Sequence, residues 1–255
     1  MNKKKVILVT GAGSGLGKSI AEELINKGHI VYGTYQTNSD TKANGITLIK
    51  SDITSKNDNQ ALIEKILQHE KQIDVIINNA GITLSGPTLN FSVEDFQKIL
   101  DINVVGPFRL IKMAFSSKTK PSLIINITSL NAFLSVPNFG LYAASKHALE
   151  ALGLALRYEL APRTKVVSVT PGALKKEGPT RMSHKPAREK FPILNWIIPL
   201  TSQNKVAKIV ANLTDTPSIP RRVIIGRDAQ IINMMQRILP SFIFDRILFF
   251  IWNKK

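Results

Sequence analysis

The chain has 255 residues, 44% apolar and 20% charged, enough for one large α/β domain with a substantial core. It has no cysteine, which excludes disulfides, thiolate metal sites and cysteine nucleophiles; its four histidines, His29, His69, His147 and His184, lack ligand spacing, so no metal is expected. Lys and Arg total 34 against 18 acids, and the net charge of +16 fits an anionic membrane surface, nucleic acid, a polyanionic ligand or simply a basic surface.

The opening "MNKKKVILVTGAG" holds too few apolar residues before its glycines for a signal-peptide core. No stretch reaches the ~20 apolar residues of a spanning helix. A cytoplasmic location is the expectation.

Lys5–Thr10 is a short β-branched run ending at glycine, as in a strand buried on both faces. "KSIAEELINKG" follows with helical spacing, Ile20, Leu24 and Ile25 on one side and Gly28 as the stop. Further strands are predicted at "HIVYGTY", "GITLIKSD", "DVIINNAG", "SLIINITS", "TKVVSVTPG" and "RRVIIG", with helices at 57–70, 93–116, 142–160 and 203–213. Ser92, with Asp95 three residues on, is a cap for the helix from about Glu94. The alternation predicts a single α/β domain over 1–255, a doubly wound parallel sheet of about seven strands with helices on both faces. It includes a substrate-loop region at 174–200 and an apolar tail at 228–255. Ligands of such sheets bind beyond the carboxyl ends of the strands.

The first strand ends in "TGAGSGLGKS". Its glycines, Gly11, Gly13, Gly15 and Gly17, with Ser14 and Leu16 between them, let the backbone approach a pyrophosphate at a helix N-terminus. The second ends in Tyr35, Gln36 and Thr37, with no acid to bind ribose hydroxyls or repel a 2′-phosphate. That tolerates NADP(H), and Lys18 could add attraction. Asp52 and Ile53 at the third strand's end could hold an adenine and cover its ring, or Asp52 could cap a helix. Asn78 and Asn79 need amide partners and would brace the fourth strand's end, while Ala80 and Gly81 leave room for a flat ligand. The fifth strand brings Thr128 and Ser129 to the rim, and the sixth ends in the sharp turn Thr170-Pro171-Gly172. In "YAASK", Tyr142 and Lys146 stand four apart on one helix face, either a surface pair or a proton-transfer device.

TGAGSGLG at 10–17, DI at 52–53, NNAG at 78–81, Asn103 in "DINVVG", Ser129 in "TSLNA", YAASK at 142–146 and PG at 171–172 together resemble, in order and spacing, the classical short-chain dehydrogenase/reductase family. The resemblance covers residues 5–175 and, more loosely, extends to about 230. It implies that Tyr142 is the general acid/base and Lys146 its partner, also bonding the nicotinamide ribose. Ser129 would polarise the substrate oxygen, and Asn103 would hold a water relaying protons toward Lys146. The backbone of Leu174 would meet the carboxamide, because Thr180 stands far from Gly172 for that role. An ammonium and an oxidised nicotinamide near Tyr142 are expected to bring its phenol below the ordinary value of about 10. NADP is the favoured cofactor and NAD the alternative. The activity implied is carbonyl reduction on an apolar or lipid-like substrate, or NAD-dependent alcohol oxidation. The rival of another class is a nucleotide-sensing or nucleic-acid-binding protein on this fold, which need not keep proton-transfer groups. Family members commonly pair the "YAASK" helix and its neighbour across a dimer interface, so a homodimer or homotetramer is expected.

Two segments stand apart. "KKEGPTRMSHKPAREKFPILNWIIPL" mixes charge with Phe191, Leu194, Trp196 and Ile197, as in a lid with an apolar inner surface or a plain surface loop. The tail places Ile231, Met234, Met235, Ile238 and Leu239 at helical spacing, then Phe242, Phe244, Ile247, Leu248, Phe250, Ile251 and Trp252, broken by Asp245 and Arg246. So apolar a tail must be covered by its own domain, by another subunit, or by an anionic membrane interface with Trp252 and the terminal lysines at headgroup level.

Overall fold

A computed structural model describes residues 3–36, 41–43, 45–117, 119–175 and 200–253. The first strand, β1 (Val6–Val9), shows how the sheet is built. Ile7 and Val9 face one side, packing with Ile20 and Leu24 of α1 (Gly15–Asn26) and Val206 and Val210 of α6 (Gln203–Leu213). Val6 and Leu8 face the other side, against Leu62 and Ile66 of α2 (Lys56–His69) and Leu110 of α4 (Gly106–Ser116). A strand whose every side chain enters a core has no polar alternation. Each such Ile or Leu contributes about 1.5–3 kcal/mol by its burial.

The remaining strands are β2 (Ile30–Tyr35), β3 (Thr41–Ala43), β4 (Ile46–Lys50), β5 (Val75–Asn78), β6 (Leu123–Ile127), β7 (Lys165–Pro171) and β8 (Arg222–Ile225). Their order is β3-β4-β2-β1-β5-β6-β7-β8. Seven are parallel, as the alternation predicts; the eighth, β3, is a three-residue antiparallel edge strand that the sequence pattern does not single out. From β1 the chain winds outward to β2 and β4, then crosses back to β5 on the other side of β1. That reversal opens a crevice beyond the carboxyl ends of β1 and β5.

The helix boundaries follow local signals. Gly28, at φ +84°, closes α1 by donating its N–H to Ile25 O at 2.8 Å. Ser92 and Asp95 form a reciprocal capping box at α3 (Val93–Leu100). The predicted helix at 93–116 is not uniform: Asp101–Val105 is a π-helical segment between α3 and α4. The extra residue per turn rotates Asn103 fully into the interior, which 3.6-residue spacing could not foresee.

The longest helix, α5 (Gly140–Glu159), lies against Ile124 and Val166 through Leu156. The chain ends in α7 (Arg227–Ile238) and α8 (Ser241–Asn253). Among the described residues no helix is long and apolar enough to cross a membrane.

Candidate active site

The glycine loop is fixed from three sides. Gly11 donates its N–H to Thr34 Oγ1 at 3.0 Å, and Ala12 to Thr34 O at 2.8 Å. Asn79 reaches across from β5, its Nδ2 donating to Thr10 O at 3.0 Å and Gly11 O at 3.3 Å. Thr10 Oγ1 accepts from the backbones of Asn79 and Ala80, both at 3.0 Å. Asn78 bonds Asn126 Oδ1 at 2.8 Å, so the paired amides brace the sheet end as expected. Gly17 has no room for a side chain, since a Cβ would lie 2.1 Å from Gly11 O. Ser14 leads into α1 without capping it through its side chain, which leaves the first-turn N–H groups facing the crevice.

Gly11, Gly13, Ser14, Leu16, Gly17, Tyr35, Gln36, Ile53, Asn79, Ala80 and Gly81 line one cleft of about 460 Å³. Its neighbour, of about 420 Å³, is lined by Thr83, Ser129, Tyr142, Lys146, Pro171, Gly172 and Leu174. The two share Leu16, Asn79, Gly81 and Ile82, forming one trough across the sheet's carboxyl edge. An extended dinucleotide fits this cradle: glycines where side chains would intrude, uncapped helix N–H groups at its middle, and an exposed Gln36 at one end.

Asp52 does not line the trough. Its Oδ1 accepts from Thr54 N at 2.8 Å and Thr54 Oγ1 at 2.7 Å, so the carboxylate shapes the turn before α2, and Ile53 alone of the pair faces the cleft. Lys18 pairs with Glu22 at 3.9 Å on the surface of α1. Thr37 falls outside the described residues, as do Thr180, Phe191, Leu194, Trp196 and Ile197.

At the second cleft the opening turn of α5 presents Tyr142. The hydroxyls of Ser129 and Thr83 hydrogen-bond the phenol. Lys146, one turn on, is buried, its Nζ donating to Ile127 O at 3.0 Å and lying 5.7 Å from the Tyr142 ring centre. The expected lowering of Tyr142 includes the charge of a bound nicotinamide; in the protein without cofactor the direction is the opposite. Burial pushes the phenol above its usual 10.0, and the bonds from Ser129 and Thr83 only partly oppose it. Burial also lowers Lys146, to about 8. The ammonium is turned toward the carbonyl of Ile127.

Asn103 is a clamp. Its Oδ1 accepts from Ile82 N at 2.9 Å, and its Nδ2 donates to Ile82 O and Ser145 Oγ, both at 3.0 Å. Both donors are thus spent holding the loop after β5 against α5. Ser129 caps the short helix Leu130–Ala132, accepting from Asn131 N at 3.2 Å. Thr128 lines the same cleft beside it, as expected, while its hydroxyl bonds Val169 O at 3.1 Å and Thr170 Oγ1 at 2.9 Å.

Leu174 pairs with Thr201 in an isolated parallel bridge. The bridge uses the carbonyl of Ala173 and the amide of Lys175, so Leu174's own amide and carbonyl point the other way. Two site residues escape the sequence reading. Thr83 stands two residues past Gly81 and is a small hydroxyl at the same rim. Asp228, buried in the first turn of α7, accepts Ala173 N on its Oδ2 at 2.7 Å. It lies so close that a Cβ on Gly172 would sit 1.9 Å from its Oδ1. The strand-end rule applied to "RRVIIG" could have found it, since Asp228 follows Gly226 by two.

The short chain dehydrogenase family profile matches residues 5–187. The chain is 34% identical over 171 residues to a 3-ketodihydrosphingosine reductase of Bacteroides thetaiotaomicron, covering 66% of this chain and 63% of that protein. It is 34% identical over 193 residues to a 3-oxoacyl-(acyl-carrier-protein) reductase of Buchnera aphidicola, covering 71% and 78%. A crystallised short-chain dehydrogenase of Streptomyces avermitilis superposes with a TM-score of 0.77 at 27% identity, covering 100% of this chain and 97% of that one.

Proposed function

We propose that this chain, which belongs to the short chain dehydrogenase family, reduces the carbonyl of an apolar, lipid-like substrate to an alcohol and prefers NADPH. Interconversion of CH–OH and C=O is the activity of the family to which the chain belongs. The observation that carries the finer assignment is the meeting of three hydroxyls, Ser129, Thr83 and Tyr142, in a cleft walled by Leu130, Val136, Phe139 and Leu174. Both curated relatives are named as reductases of keto compounds.

When bound, the nicotinamide supplies or takes up the hydride. Gly11, Ser14, Leu16 and Gly17 would hold its pyrophosphate, Ile53 would cover the adenine, and Pro171, Gly172 and Leu174 would enclose the nicotinamide end. Tyr142 gives its proton to the carbonyl oxygen as that oxygen gains charge. Ser129 donates a hydrogen bond to the same oxygen. Lys146 stabilises the phenolate left on Tyr142. A raised phenol pKa keeps Tyr142 protonated through the neutral range, the state that carbonyl reduction requires. NADPH preference rests on Tyr35 and Gln36, where no carboxylate stands to repel a 2′-phosphate. A homodimer through α4 and α5 is supported by the exposure of Val105, Phe108 and Tyr158.

Titration of the purified protein with NADPH and NADH, followed by nicotinamide fluorescence, tests the assignment. Tight NADPH and weak NADH are expected, followed by turnover of long-chain ketones. An NADH preference would instead favour alcohol oxidation, and binding of neither would reject the cofactor site.

A further inference from the structure

Helix α8 carries apolar side chains on two opposite faces. Phe244 is buried, and Ile247, Leu248 and Ile251 are half-buried on the same side. Leu134, Leu239, Phe244 and Leu248 line a shared cleft there, so this face packs on its own domain. The opposite face presents Phe242 and Phe249, each 71% exposed, and Phe250, 62% exposed. These stand at i, i+7 and i+8, with exposed Asp245 and Arg246 between them. Ile238, at the end of α7, extends the patch at 69% exposure. Scattered apolar residues on a surface need no explanation, but three phenyl rings on one face mark an interaction site.

Two candidate occupants fit poorly. Thirteen helical residues span about 20 Å, short of a bilayer's hydrocarbon core, so α8 does not cross a membrane. A second copy at this face would bring Arg237 and Arg246 of both chains together, with one exposed acid, Asp245, on each side to offset them. An anionic lipid surface meets both features at once. We propose that the outer face of α8 docks this protein onto an anionic bilayer, the phenyl rings entering the acyl boundary in the membrane plane and Arg246 reaching back to the phosphates. Leu134 and Ser135 border α8, while Leu130 and Val136 of the same loop wall the catalytic cleft, so one loop joins the helix to the cleft. The inference rests on α8 and the charge, and does not require the redox assignment.

The test is flotation of the full chain with phosphatidylcholine vesicles, with and without phosphatidylglycerol, at low and high salt. Co-flotation with the anionic vesicles at low salt is expected, falling about tenfold without phosphatidylglycerol or at high salt. The triple variant Phe242→Ser, Phe249→Ser, Phe250→Ser should lose flotation while its melting temperature and solution mass stay unchanged. Should that variant fold poorly, Arg246→Glu keeps the rings and should still weaken anionic flotation severalfold. No flotation of the wild type overturns the proposal, and so does flotation that survives both changes. A fall in solution mass of the triple variant without lipid also overturns it, assigning the face to a second copy.

Discussion

Asp228 accepts a hydrogen bond from the backbone N–H of Ala173 at 2.7 Å, tying the first turn of α7 to the turn that closes the catalytic end of the trough. The two residues are 55 apart in the chain, and the carboxylate fills the space that a side chain on Gly172 would need. Removing it leaves a partly buried amide without this partner, at a cost of about 1 kcal/mol. We expect Asp228→Ala to lower the melting temperature and weaken cofactor binding about tenfold or more. Asp228→Asn keeps an acceptor and should recover most of both. Calorimetry and cofactor fluorescence check the pair; unaltered cofactor affinity in the alanine variant would show that the turn holds without Asp228.

Tyr142→Phe should cut turnover about 100- to 10,000-fold, because it deletes the proton donor and little else. Its affinity for NADPH should stay close to that of the wild type. Ser129→Ala, which removes one hydrogen bond to the reacting oxygen, should cost about 100-fold or more in kcat. Single-turnover kinetics alongside cofactor titration separate the two effects. Wild-type turnover by Tyr142→Phe would remove Tyr142 from the mechanism.

The raised pKa of Tyr142 makes the two directions of reaction differ in pH dependence. Reduction uses the protonated phenol and should be flat through neutral pH. Oxidation uses the phenolate and should rise with pH into the alkaline range. Rates in both directions across a pH series check this, and an oxidation rate already level at neutral pH would show that the bound nicotinamide's charge outweighs the burial of the phenol.

Lys146 is buried, and its pKa falls from 10.5 to about 8. Between those values the unfolded chain holds a proton that the folded chain has released. Stability of the cofactor-free protein should therefore rise with pH across that window, by about 3 kcal/mol from this residue. Lys146→Met should lack the rise and be the more stable protein at neutral pH, although inactive. Urea unfolding of both proteins at neutral and alkaline pH makes the comparison, and parallel pH dependences would refute it.

His29, at the opposite end of the sheet, has a buried imidazole 3.5 Å from Asp215 Oδ1. Burial lowers its pKa below 6.5, the nearby carboxylate notwithstanding. Below 6.5 the unfolded state binds a proton that the folded state refuses, so acidification should remove stability over that range. His29→Gln should flatten the acid limb of a melting-temperature profile; an unchanged limb would assign it to other groups.

Much of this molecule is local and therefore legible in one dimension. β1 reads as a strand because all four of its residues are apolar, and Ser92 with Asp95 marks a helix start through bonds three residues apart. Gly11 and Gly17 are found by glycine spacing, Tyr142 and Lys146 by their helical spacing, and Ser129 by its place at a strand end; the structure brings them to one trough. The partners of Thr128 and Asp52 are not legible in this way. Thr128 lines the cleft while bonding across the strand end, Asp52 bonds its own turn instead, and only the packed strand ends decide this.

The sequence by itself determined the parallel strands, the longer helices, their alternation and the residues at the strand ends, because these depend on side chains close together in the chain. Tertiary structure alone decided the strand order, the inward turn of Asn103 at the π-helical segment, and the meeting of Thr83 with Tyr142 and of Asp228 with Ala173. It also sets the direction of the Tyr142 shift in the protein without cofactor. Desolvation depends on everything that packs around a group, whichever part of the chain supplies it, whereas a lysine four residues away describes one neighbour.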